Sequence, residues 1–186
     1  KEIDEVFNDN ISSFDIDTTI PFIFDQNILY SSFIQIDNTT FLSSIYNNGD
    51  NFVLRHIIDN LSTTIETGLI GDTSYTDGDI NTEASYGIIS EIAYDNINNL
   101  LFIIDTTHKK IRIIKYSVNQ VYSLAFSTII SDTITEITIN NPISLTLSTD
   151  KNTLYFSDNN KLYAADVTSI LTDNFNLETT IINDND

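Results

Sequence analysis

The chain has 186 residues, enough to bury one ordinary core, and 41% are hydrophobic, which excludes a disordered tail despite a formal net charge of −19. Only 8 Lys and Arg stand against 27 acids, so a basic face able to neutralise phosphates is missing, which argues against nucleic acid and an anionic membrane surface as partners. Cysteine is absent, which excludes disulfides and thiolate metal sites, and no apolar run approaches the roughly 20 residues that insertion into a bilayer needs.

Ile, Asn, Asp, Thr and Ser dominate, as an AT-rich coding sequence imposes on any protein. Lysine codons are AT-rich as well, so the shortage of Lys belongs to this protein and not to its genome. The chain begins at Lys1 and holds no Met. It reads as a processed product or an excerpt, and residues 1–186 read as one domain or a fragment of a larger one.

In chain order, Lys1 to Asn8 is compatible with a short helix, and Ile11 to Ile16 and Ile20 to Phe24 read as the last two strands of a partial unit. Phe33 to Ile36, Phe41 to Tyr46, Phe52 to Ile58 and Thr63 to Leu69 follow as four strands. They are separated by polar turns such as Asp37-Asn38-Thr39-Thr40 and Asn47-Asn48-Gly49-Asp50. A glycine-marked loop then leads through Asp77-Gly78-Asp79 to strands at Ile88 to Tyr94, Leu100 to Ile104, Lys110 to Tyr116 and Val121 to Phe126. Ile143 to Asp158 repeats the earlier order of strand, Asp/Asn turn, aromatic strand and Asp. Lys161 to Asp166 and Leu177 to Ile182 complete that unit, with Val167 to Asn174 as a loop between strands. The repeat is on the order of 50 residues. The fold class is therefore all-β: a β-propeller of four-stranded antiparallel blades, about three full blades and a partial one, with a β-sandwich of similar strand count as the alternative. Phe102, Tyr155 and Phe156 fall on central strands and are expected in the core.

Over Thr67 to Lys115, and again over Ile143 to Asp166, the chain resembles the NHL-repeat family of β-propellers. The residues that carry the likeness are Gly68 and Gly71, Asp77-Gly78, Ala84, Leu101 to Asp105, His108 and the Arg-bearing strand around Arg112. Pro142 stands before the first strand of the later unit, where Leu162 and Tyr163 occupy the place of the usual basic residue. Such propellers have more blades than 186 residues supply, so the resemblance implies a fragment or a small ring, whose N-terminal strands would pair with the strand at Leu177 to Ile182, in the same chain or in another copy. Pairing between copies would build a filament.

Chemistry-bearing residues are sparse. His56 and His108 lie in different units without metal-ligand spacing, and no Gly-x-Ser-x-Gly elbow occurs. Asp105 and Asp158 end equivalent second strands and are expected to accept backbone N–H bonds in the following turns. Asp72, Asp77 and Asp79 share a glycine-bearing loop and offer hard oxygen ligands for Ca²⁺, as do Asp95, Asn96, Asn98 and Asn99, although neither loop has the EF-hand layout. Three glycosylation sequons begin at Asn10, Asn38 and Asn60, no more than the Asn and Ser/Thr content gives by chance. The reading is a non-catalytic structural or protein-binding module, extracellular or on the cell surface, with a protein partner or self-assembly and with no cofactor beyond the Ca²⁺ site. The competing reading is a metal-dependent propeller enzyme, such as a gluconolactonase-like hydrolase or an amidating lyase.

Overall fold

The structure is a computed structural model, which describes residues 28–182 apart from 48–49, 58–61, 70 and 73. The strands expected at Ile11 to Ile16 and Ile20 to Phe24, and the helix-compatible stretch at Lys1 to Asn8, lie outside the described residues.

Three sheets follow one another along the chain, each built around a four-stranded antiparallel meander. The first runs β1 (Ile28–Gln35), β2 (Thr40–Asn47), β3 (Asp50–Ile57) and β4 (Ser62–Thr67) in that order. In the second, β6 (Ile89–Asp95), β7 (Leu100–Asp105), β8 (Lys110–Lys115) and β9 (Gln120–Ser123) form the meander, and the two-residue β5 (Gly78–Asp79) adds to the outer side of β9. The third holds β12 (Pro142–Leu147), β13 (Thr153–Asp158), β14 (Lys161–Asp166) and β15 (Asn176–Ile181). Turns between the strands close on residues with positive φ, among them Asn99 (55°), Asn119 (57°) and Asn159 (54°). Asn tolerates this left-handed region better than most residues, which is why the polar turns are legible in the sequence.

The first strands of the three sheets lie side by side, β6 between β1 and β12. Polar side chains bind them: Ser31 Oγ donates to the Ile89 carbonyl (2.5 Å), Ile92 N–H to Ser32 Oγ (3.3 Å), and Leu145 N–H to Glu91 Oε2 (2.9 Å). That arrangement is propeller-like and is not the two-sheet sandwich that strand spacing also allowed. The second sheet is covered on both faces, so β7 is buried along its whole length and reads as the unbroken run Leu-Leu-Phe-Ile-Ile. Leu101, Ile103 and Ile114 pack with Leu42 and Val53 toward the first sheet. Leu100, Phe102, Ile104, Ile111 and Ile113 pack with Leu145, Leu154, Phe156 and Tyr163 toward the third. Tyr155 departs from its expected place in the core. It alternates away from Leu154 and Phe156 and is half-exposed on the far face of the third sheet.

Two further departures concern the chain after β9. The strand expected over Val121 to Phe126 divides: Leu124 N–H still bonds the Ile111 carbonyl of the second sheet (2.9 Å), whereas Ala125 N–H bonds the Phe175 carbonyl of the third (2.8 Å). The chain therefore changes sheet between adjacent residues and enters a hairpin for which the sequence carries no clear cue, β10 (Ala125–Ile130) and β11 (Thr133–Ile137). β10 runs parallel to β15, Phe126 beside Leu177. The strand at Leu177 to Ile182, expected to pair with the N-terminal strands, thus already has β14 on one side and β10 on the other, and among the described residues the outer edge of the sheet is β11. The loop expected at Val167 to Asn174 contains a 3₁₀ turn at Thr168–Thr172, with Ile170 buried beneath it.

The second sheet is organised by Arg112, fully buried in the middle of β8. Its guanidinium donates to Asp77 Oδ1 through Nε (3.1 Å) and Nη2 (2.8 Å), to the Ser85 carbonyl through Nη1 (2.5 Å), and to the Thr76 carbonyl. It also lies over the Tyr86 ring at 4.4 Å. Removing one partner of a buried charge pair typically costs about 3 to 5 kcal/mol. Arg112→Met should therefore lower the unfolding free energy by about that amount in urea titration, and a loss within about 0.5 kcal/mol, the size of an ordinary surface change, would show that the loop is held without it.

The β10–β11 hairpin turns on Ser131 (φ 49°) and Asp132 (φ 62°). Two successive positive φ values are what a type I′ turn requires and what Asn-Gly supplies best; an ordinary L-residue there costs about 1 to 2 kcal/mol. The double change Ser131→Asn, Asp132→Gly should raise stability by about 1 kcal/mol, seen as a higher melting midpoint. An unchanged or lower midpoint would mean that the turn carries no strain.

Candidate interaction surface

The loops at one end of the strands are joined by the acids that close the second strand of each later unit. Asp105 is fully buried. Through Oδ2 it accepts from the Gly87 N–H (3.0 Å) in the loop leading into β6, and through Oδ1 from the His108 N–H (3.1 Å) in the following turn. Asp158 accepts from the N–H groups of Asn140 (3.0 Å) and Asn141, again in the loop leading into the first strand of its sheet. The expectation that these acids serve their following turns holds at Asp105, through the His108 N–H. Their shared role is to tie the incoming loop to the end of the second strand. Gly87 is required by closeness: a Cβ there would meet Thr107 Cβ at 2.3 Å.

On this framework one aromatic group is presented to solvent. Tyr75 is 39% exposed. Its hydroxyl bonds Ser123 Oγ, and its ring is flanked by the His108 ring (5.7 Å), the Lys110 ammonium (5.8 Å) and the Arg112 guanidinium (5.1 Å). His108 is oriented by Asp105, whose carboxylate lies 3.0 to 3.1 Å from Nδ1. Other cations are bound elsewhere: Arg55 makes a two-point pair with Glu66 (2.7 and 2.8 Å), and Lys115 reaches Asp173 and the Ile170 carbonyl of the 3₁₀ turn. Lys110 is half-buried beside Tyr75, and Lys109 is exposed next to it in the chain, so an otherwise acidic chain presents here an aromatic ring with the Lys110 ammonium at its rim.

The acids named from sequence are distributed among separate partners. Asp72 accepts from the Ser74 N–H (2.8 Å), and hydrogen bonds from Ser74 hold its carboxyl below the usual range. Asp77 bonds Arg112 and, through Oδ2, the Ser123 N–H (2.8 Å). Asp79 accepts from the N–H groups of Asn81 (2.9 Å) and Thr82 (3.0 Å) and from Asn119 Nδ2 (2.8 Å). Its carboxyl is lowered, chiefly by the Asn81 backbone N–H. Asp95 accepts from the Ile97 (2.8 Å) and Asn98 (3.1 Å) N–H groups, and Asn99 accepts from the Tyr94 hydroxyl (2.6 Å). Asn96 is exposed in the same turn. Among the described residues no three His, Asp or Glu side chains are brought together as a metal-ligand set. Asn38 sits exposed at the tip of the β1–β2 turn, while Asn10 and Asn60 lie outside the described residues.

A contact that sequence reasoning missed is Ser43 with His56. Cross-strand pairing of β2 and β3 on the far face of the first sheet brings Ser43 Oγ within 2.7 Å of His56 Nε2, with Thr63 Oγ1 3.2 Å from Nδ1. Phe41 stacks on the imidazole at 4.5 Å. Both Ser43 and His56 are buried, so the pair supports the sheet and presents no open nucleophile. Only the strand register, invisible in sequence spacing, brings them together.

No protein-family model matches the chain, and a search of curated proteins gives no match. Among solved structures, the chain is similar to a chain in the crystal structure of a nidogen/laminin complex, with a TM-score of 0.57, 15% identity, and coverage of 86% of this chain and 50% of that one. A second similarity is to a structural genomics protein of unknown function from Bacteroides thetaiotaomicron VPI-5482, with a TM-score of 0.33, 16% identity and coverage of 74% and 41%. At these identities the first likeness concerns the fold, which is that of a β-propeller, and the second is too distant to add to it. The chain spans half the length of the first structure.

Burial holds the His56 imidazole below its usual pKa of 6.5. The stabilisation from neutral His56 is therefore complete above about pH 6.5 and is lost as pH falls through the lower folded value. Urea midpoints should drop between pH 7 and pH 5 in the natural chain, and His56→Gln should remove that part of the slope. Parallel slopes in the two proteins would show that His56 does not titrate as its burial demands.

Proposed function

We propose that the chain is an NHL-type β-propeller segment acting as a non-catalytic protein-interaction module of a secreted or surface-displayed protein. The observation that carries this reading is the convergence of Tyr75, His108 and Lys110 on a loop face pinned from beneath by Asp105, Asp77 and Arg112, with Lys109 exposed in the adjoining turn. Rigid aromatic groups with cationic neighbours are what protein interfaces use as anchors. The NHL reading is supported by the way Asp77, Ala84, Asp105, His108 and Arg112, which carry the sequence resemblance, serve this one framework. The likeness to a chain from a nidogen/laminin complex agrees with a role in binding another protein. Among the described residues no helix is long and apolar enough to cross a membrane.

The loop face favours a partner that brings a carboxylate to Lys109 and Lys110 and an apolar or planar group to Tyr75. The test immobilises the whole chain and measures saturable binding of extracellular proteins, comparing it with the Lys109→Glu, Lys110→Glu double variant. Binding to the natural chain that falls by about tenfold or more in the variant is expected. Binding that ignores the variant would remove the loop face from the reading. Metal-dependent turnover of a lactone or of a glycine-extended peptide by the purified chain would replace the reading with an enzymatic one.

A further inference from the structure

We propose that the outer edge of β11, which has no pairing strand among the described residues, captures an extended peptide strand carrying alternate apolar and basic side chains, a second docking mode that rests on the interaction-module reading. An edge strand exposes unpaired N–H and C=O groups, and proteins usually blunt such edges with Lys, Pro, a bulge or a covering loop. β11, Thr-Ile-Thr-Glu-Ile, has no Lys or Pro, pairs with β10 in unbroken register, and is exposed from Thr133 to Glu136. Among the described residues no strand pairs with its outer side.

The side chains beside that edge define the occupant. Ile134 (73% exposed) pairs across the hairpin with Ile129 (55% exposed), so two isoleucines form an apolar patch on one face. On the same face Glu136 pairs with Ser127, which pairs in turn with Glu178 of β15, giving two carboxylates separated by one small residue. A strand added to β11 places alternate side chains on this face. One would lie beside Ile134 and the next beside Glu136. The first position calls for an apolar side chain and the second for Lys or Arg. Lys109 and Lys110 line a cavity of about 120 Å³ together with Phe126, Glu136 and Ile137, and among the described residues neither ammonium forms an ion pair with Glu136, so the carboxylate can take an incoming cation. A second copy of the chain is a poorer occupant, since each copy carries a net charge of −19 and β11 would bring its own Glu136 to the new interface.

The probe is a capped peptide, Thr-Lys-Thr-Ile-Thr-Lys-Thr, whose symmetry presents Ile and Lys in either strand direction, alongside a counterpart with Glu in place of Lys. Fluorescence anisotropy with the full chain should show saturable binding of the Lys peptide that weakens as salt is raised. Ile134→Lys should abolish it without shifting the melting midpoint, and Ile134→Thr serves the same purpose should the lysine variant fail to fold. Glu136→Lys should weaken the Lys peptide by about tenfold or more and transfer preference to the Glu peptide. The proposal is overturned by absence of binding at low salt, by equal binding to all variants, or by concentration-dependent dimerisation that Ile134→Lys abolishes. Should the peptide fail while Lys109 and Lys110 still govern partner binding, only the edge proposal falls.

Discussion

Everything on the loop face depends on a single buried cation. Arg112 brings five donors into the centre of a sheet covered on both sides, where an unpaired charge would be prohibitive. The loop of residues 76–86 satisfies it with the Asp77 carboxylate, two backbone carbonyls and the face of Tyr86. The bonding works in both directions. That segment has only the two-residue β5 as regular structure, and without the guanidinium its carbonyls would need other partners. With it, Tyr86 is locked beneath, its hydroxyl against Thr67 Oγ1 (3.0 Å) at the end of β4 and its pKa pushed up to about 12 by burial. The first sheet is thereby fastened to the second through a loop.

Asp105 supplies the complementary tie. Its carboxylate joins the incoming loop at Gly87 to the β7–β8 turn at His108, and its Oδ2 lies 3.9 Å from the Arg112 guanidinium. Asp77, Arg112 and Asp105 thus form a short charged line running from the loop through the sheet to the β7–β8 turn, which holds Lys109 and sets the His108 ring against Tyr75. The third sheet repeats the aspartate but not the arginine. At the matching position Tyr163 stacks on Phe156 (4.9 Å), and Asp158 ties down its incoming loop without a buried cation. Two sheets of the same pattern therefore use different interior chemistry, polar in one and aromatic in the other.

The meanders were legible because their cues are local. Asp and Asn at turn positions, β-branched runs between them and an Asp closing the second strand all lie within one unit, and β14 falls at the bounds read from sequence. The β10–β11 hairpin was not legible, because both of its faces are largely exposed beyond Phe126 and its residues, Ser127 to Ile137, show no alternation that would mark a buried side. Nor could spacing reveal that β15 would accept a parallel neighbour, since Phe126 and Leu177 meet only through the change of sheet at Leu124. At the candidate site, His108 and Arg112 were named from the motif, whereas Tyr75 was missed. It precedes the acidic loop in a stretch without periodicity, and its exposure follows from the fold of the segment around Arg112.

Matching Asp105 with Asp158 and Lys110 with Lys161 aligns the second and third sheets residue by residue, and the alignment accounts for an asymmetry in the stack. The face that the second sheet turns toward its neighbour carries Leu100, Phe102, Ile104, Ile111 and Ile113, all buried. The corresponding face of the third carries Thr153, Tyr155, Ser157, Leu162 and Ala164, none of them fully buried. The third sheet thus draws its apolar stabilisation from one side, through Leu145, Leu154, Phe156 and Leu177, and offers hydroxyls on the other. Apolar burial supplies most of the favourable free energy of folding, so in this stack the best-held element is the middle sheet. The loop face is mounted there, on β7 and β8, which lets Tyr75 and its cationic rim keep their geometry while the outer strands of the third sheet remain open to other contacts.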